Sequence, residues 1–100
     1  LNIGSNKITD LNLTNNPQLI ELNCSRNELN ELNVSANVDL VYLTCGYNSI
    51  TNLDVSNNPV LRHIVCYGND LICLNVKNGN NTNMGDGAFN AYENPNLKCI

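Results

Sequence analysis

The chain has 100 residues, with 9 acidic against 5 basic side chains and a net charge of −4. That length suits one domain with a modest core. The sparse acidic balance argues against nucleic acid, which needs a basic surface to release counterions, and no apolar run approaches the ~20 residues of a membrane span.

Leu1, Ile3 and Asn6 read as the tail of a phrase that returns in full as Leu19, Leu22, Cys24 and Asn27. Before it stands a second phrase, Ile8, Leu11, Leu13 and Asn16. The two then alternate: Leu29, Leu32, Val34, Asn37; Leu40, Leu43, Cys45, Asn48; Ile50, Leu53, Val55, Asn58; Leu61, Ile64, Cys66, Asn69; and Leu71, Leu74, Val76. The period is 21 residues, split into halves of about 10 and 11. A fixed period of this size signals a stacked repeat architecture. Asparagine, 23 residues of the chain, could suggest disorder, but the apolar positions keep a register that low-complexity sequence lacks.

Within each half, Leu-x-Val or Leu-x-Cys has period two and predicts a short strand with two inward residues. The following Asn marks a turn, where its side-chain amide can satisfy backbone groups of an adjoining coil. A half of this length is too short for a strand and a full helix. Each coil is therefore expected to be a flattened tube with a strand on both walls, about 4.8 Å from its neighbours. Asn-Asn-Pro at 15–17 and 57–59 and Asn-Pro at 94–95 are placed at one corner. Val38 stands where Pro would in the middle coil, so the turn does not require proline.

After Gly79 the ruler fails. Asn94 follows at 15 residues, so the tail is either a half coil carrying a loop of about five residues or a whole coil short of about six. Both ends stop mid-pattern, Leu1 aligning with Leu22 and Ile100 with Ile64, which reads as a piece of a longer protein or one whose ends are covered by partners. Open strand edges at both ends are expected to favour end-to-end self-association.

The half-repeat L-x-x-L-x-(L/V/C)-x-x-N-x resembles the leucine-rich repeat, in the short nested bacterial class of surface and secreted proteins. The resemblance covers residues 1–79 strongly and 89–100 in part. "NGNNTN" followed by "NPNLKCI" resembles the closing segment of that class. Pattern and resemblance together predict one domain over 1–100, regular to 79 and irregular over 80–100. Its fold is a leucine-rich repeat solenoid of right-handed, roughly 21-residue coils, with two short parallel β-sheets and little or no helix. The resemblance further implies a secreted or cell-surface bacterial protein engaged in adhesion; no constellation of residues supports an enzyme, and no cofactor is expected.

Cys24, Cys45 and Cys66 share an inward column, where a thiol behaves as a small hydrophobe rather than a metal ligand. Cys73 and Cys99 are outward. In a half-coil tail they share a wall and can form a disulfide; in a whole-coil tail they lie on opposite walls. His63, the sole histidine, has no nucleophile and orienting acid in the pattern. On the first wall Tyr42, Tyr47, His63 and Tyr67 gather, with Glu21 and Arg26 at the rim, and Gly46 and Gly68 leave room for rings to lie flat. Aromatic groups on a rigid sheet suit recognition. The second wall is small, polar and mildly acidic; Asp10, Glu31 and Asp54 are too spread along it for calcium. Asp86 lacks companions, and the sequons at Asn12, Asn23, Asn33 and Asn80 follow from the Asn-rich repeat. The function expected is a binding module for a protein or carbohydrate ligand, without nucleic acid or membrane insertion. The alternative is a rigid spacer linking other domains.

Overall fold

The computed structural model describes residues 1–79 and 89–100 as a stack of parallel coils, and none of those residues is helical. The first wall is a four-stranded parallel sheet in the order β1 (Glu21–Asn23), β2 (Tyr42–Thr44), β4 (His63–Val65) and β6 (Phe89–Asn90). Glu21, Tyr42 and His63 pair in register, as do Leu22, Leu43 and Ile64, so each step is one 21-residue period. Asn2 bridges to Asn23 and prolongs the sheet at the other edge. Leu22, Leu43 and Ile64 are completely buried while their flanking residues face out, as period two demands.

Asparagine ladders hold the corners. Nδ2 of Asn48 donates to the carbonyl of Cys45 in its own coil and to that of Cys24 in the coil before, both at 3.1 Å. Its Oδ1 accepts the Leu29 N–H at 3.0 Å. Asn27, Asn69 and Asn94 repeat this arrangement. The residue before each ladder Asn turns left-handed: Ser5, Arg26, Tyr47, Gly68 and Glu93 have φ of 54–66°. The second ladder uses only its donors. Asn37 and Asn58 give Nδ2 to the carbonyls of Asn16 and Asn37, while their buried Oδ1 atoms accept nothing. Each is bracketed by two turns. The turn from Asn37 to Leu40, containing Val38, closes at 3.1 Å, the same length as the proline-containing turns from Asn16 to Leu19 and Asn58 to Leu61.

The second wall departs from expectation. Strands were expected in every half coil, but only β3 (Asn52–Asp54) and β5 (Cys73–Asn75) pair, extended by a bridge from Cys73 to Cys99. The segments around Leu11 and Leu32 bury or half-bury their leucines without forming strands. Inward packing needs only side-chain direction, whereas a ladder needs neighbouring backbones within hydrogen-bond reach. In the first coils no backbone hydrogen bond joins residues 10–14 to 31–35, although Glu28 N–H donates to the Ile8 carbonyl at 2.9 Å where this wall begins.

The tail takes the half-coil frame. Phe89 pairs with Ile64, 25 residues on rather than 21, and Asn94 fills the ladder position of Asn69. Cys99 consequently reaches the second wall beside Cys73. Two alignments are corrected. Ile100 follows Cys99 and so matches Leu74, not Ile64. Asn94-Pro95 lies at the corner opposite Asn16-Pro17, because its side chain serves the first ladder while its carbonyl opens a turn to Leu97. The extra tail loop, the Asn80 sequon and Asp86 fall in 80–88, outside the described residues.

Candidate functional site

The outward side chains of the first wall fall into two groups rather than one. At the start of the strands Tyr42, 48% exposed, lies beside His63, with ring centroids 6.2 Å apart and planes tilted by 50°. Glu21 is next to Tyr42 in register and two coils from His63, so it cannot orient that imidazole.

At the far corner Arg26, Tyr47 and Tyr67 form a connected cluster. The guanidinium of Arg26 sits 4.6 Å over the Tyr47 ring, a cation–π contact. Tyr47 and Tyr67 meet edge to face at 4.9 Å and 87°. Two glycines set this geometry. A β-carbon on Gly68 would stand 2.7 Å from Tyr47 Cδ1, and one on Gly46 would stand 3.3 Å from Tyr67 Cε2 and Cζ. Each ring therefore rests on the backbone of a neighbouring coil. Gly68 also accepts the left-handed corner, at φ 66°, without the steric cost borne by Arg26 and Tyr47 in the same column.

Tyr92 is a residue the sequence reading missed. Gly68 N–H donates to the Tyr92 carbonyl as Tyr47 N–H donates to that of Tyr67, so Tyr92 continues the Tyr67 column one coil further. It is 78% exposed. The signal was available: Phe89-x-Ala91-x-x-Asn94 repeats Ile64-x-Cys66-x-x-Asn69 and puts Tyr92 opposite Tyr67.

The second wall carries polar clefts where its coils do not pair. One of about 370 Å³ is lined by Asn30, Glu31, Leu32, Asn33, Thr51 and Asn52. No ring faces it. Ser56, through its hydroxyl and its backbone N–H, holds the Asp54 carboxyl below its usual range. Asp10, Glu31 and Asp54 belong to successive coils, and no group of three metal-ligating side chains gathers among the described residues.

Cys73 and Cys99 are joined by a disulfide, with Cα atoms 4.7 Å apart. The inner column is different: Cys24, Cys45 and Cys66 are free and fully buried. Burial pushes the Cys24 and Cys66 thiols up to about 11. Cys45 rises well above its ordinary value through burial and then through its two thiol neighbours. Near pH 8 a thiol of pKa about 11 is ionised to about one part in a thousand, and only the thiolate attacks. These three thiols are therefore expected to resist an aromatic disulfide reagent for hours in the native chain and to react within minutes in urea. Rapid native labelling would contradict a closed core.

No family model matches the sequence, and no curated protein does. Among solved structures the chain is similar to the functional domain of InlJ from Listeria monocytogenes, a domain described as including a cysteine ladder. The identity is 35% and the TM-score 0.91, over 100% of this chain and 21% of that one. The chain thus spans about a fifth of that structure's length. Its own stacked column of Cys24, Cys45 and Cys66 is the corresponding kind of feature.

Proposed function

We propose that this chain, a leucine-rich repeat solenoid by fold, is a non-enzymatic binding module of a bacterial surface or secreted protein. The observation that carries this reading is the group of tyrosines on the four-stranded wall, of which Tyr47 and Tyr67 rest on Gly68 and Gly46. Rings already fixed in place lose little conformational freedom when a partner arrives. The exposed disulfide supports an oxidising compartment. Among the described residues no helix is long and apolar enough to cross a membrane. End-to-end association of the stack through its edge strands is part of the same proposal, and light scattering across a concentration series tests it.

The ligand is a protein or a glycan, and its contact surface comprises Tyr42, Tyr47, His63 and Tyr67, with Glu21 and Arg26 at the rim. A protein and glycan array probed with the labelled chain is expected to return a binder. Tyr42→Ala and Tyr67→Ala should each weaken it by more than about 1 kcal/mol, the scale of an interface hot spot. Asn33→Ala and Ser56→Ala, on the opposite wall, should leave it unchanged. Equal losses on both walls, or none on the first with the fold intact, would favour a rigid spacer.

A further inference from the structure

The far corner of the first wall differs from the rest of the surface in three ways. Its rings are tyrosines alone, in successive coils: Tyr47, Tyr67 and Tyr92. Their neighbours are mostly uncharged: the column beside them runs Asn23, Thr44, Val65 and Asn90, and Glu93, next to Tyr92, is the one carboxylate among the described residues of these columns. The single cation, Arg26, is already stacked on Tyr47.

From Arg26 to Tyr92 the cluster crosses three intercoil steps, about 14 Å at ordinary strand spacing. That footprint is well below the ~800 Å² per partner of a standard protein interface. Val65 is the one aliphatic outward residue among these columns, so no broad apolar patch surrounds the rings. Tyrosine rings bordered by amides and hydroxyls match a different chemistry. Pyranose sugars with equatorial hydroxyls carry C–H groups on their faces and hydroxyls around their edges. The faces stack on tyrosine rings, and the edges bond to Asn, Thr, the tyrosine hydroxyls and Arg26.

We propose that Tyr67 and Tyr92 form a stacking platform for a neutral, equatorially linked oligosaccharide lying along the stack of coils, with Tyr47, perpendicular to Tyr67 and covered by Arg26, bounding it edge-on. The inference rests on the reading of the first wall as a binding face and narrows it to one ligand class and one corner. Tyr67 is the central ring, Tyr92 extends the platform, and Gly46 is a positioning residue because its bare α-carbon seats the Tyr67 ring.

Cellotetraose and chitotetraose are the probes, titrated into the isotope-labelled chain and followed by amide and tyrosine-ring shifts. Shifts are expected at Tyr47, Tyr67, Gly68 and Tyr92, and not at Asn33 or Ser56. Tyr67→Phe, which keeps the ring, should bind within about threefold of the parent, and Tyr67→Leu at least tenfold more weakly. Gly46→Ala removes no sugar-contacting group but lifts the Tyr67 ring, and it should also weaken binding several-fold. A thermal melt confirms that each variant is folded. A heparin tetrasaccharide, anionic against an acidic chain, should bind no better than the neutral probes. The proposal is overturned if neither neutral probe moves the corner signals, or if Tyr67→Leu binds as the parent does. Should a protein partner instead be lost in Tyr67→Leu without competition from either saccharide, the wall remains a binding face and the sugar assignment falls alone.

Discussion

Asn69→Ala is expected to destabilise the chain by about 3–5 kcal/mol, far more than a typical single substitution. Its side chain is 3% exposed and ties its own coil to the one before. Oδ1 accepts from Ile50 N–H at 3.0 Å, and Nδ2 reaches the carbonyls of Cys45 and Cys66 at 3.1 and 3.0 Å. The two carbonyls would keep a second donor, since Asn48 and Asn94 also bond to them. Ile50 N–H would not: it has no other partner among the described residues, and Ile50 is fully buried. One orphaned buried N–H costs about 1–3 kcal/mol, and each lost bond to a still-paired carbonyl about 1 kcal/mol. Asn69→Asp should cost at least as much, because it removes the donors and buries a charge. Asn52→Ala on the second wall, whose side chain bonds only to Thr51 Oγ1, should stay within about 0.5 kcal/mol. Urea midpoints at constant slope measure all three. A loss under 1 kcal/mol for Asn69→Ala would mean that the ladder decorates the stack without holding it.

Removing the Cys73–Cys99 bond is the second large effect. It closes a loop of sequence separation 26, for which the chain-entropy account gives about 3.5 kcal/mol. Without it the last coil keeps β6, two residues long, the Asn94 ladder bonds and a few backbone bonds such as Leu74 N–H to the Cys99 carbonyl. The paired Cys73→Ser and Cys99→Ser variant is expected to lose hydrogen-exchange protection over residues 89–100 and at the newly exposed edges of β4 and β5. The pairing of β1 with β2 should be unaffected, because each coil contacts only its neighbours. Protection lost uniformly would show that the stack unfolds as one unit; unchanged protection would show that the bond holds nothing in place.

The repeat made much of this molecule readable. Leu22, Leu43 and Ile64 face inward because alternate residues of a strand must, and Asn27, Asn48 and Asn69 sit at corners because a turning backbone needs their donors and acceptors. The buried thiol column followed from the same spacing. Other features were not readable. Tyr92 was overlooked because Asn94-Pro95 combines the marks of both phrases, a ladder side chain and a proline turn, which obscured the frame of the tail. The tyrosines were grouped as one surface, yet Tyr42 contacts His63 while Tyr47 contacts Tyr67 and Arg26. Those choices depend on rotamers and on which neighbouring backbone is bare.

The sequence by itself determined the 21-residue coil, the inward columns and the asparagine corners, since each follows from side-chain direction and from local hydrogen-bond need. The tertiary structure alone decided the rest. Glu31-Leu32-Asn33 and Asn52-Leu53-Asp54 have the same pattern, but only the second becomes a strand. Cys73 could pair with Cys99 only once the tail's frame had put both on one wall. In the first case the deciding quantity is whether neighbouring backbones come within hydrogen-bond reach, and in the second it is the wall that the tail's frame selects; neither is written in any single repeat.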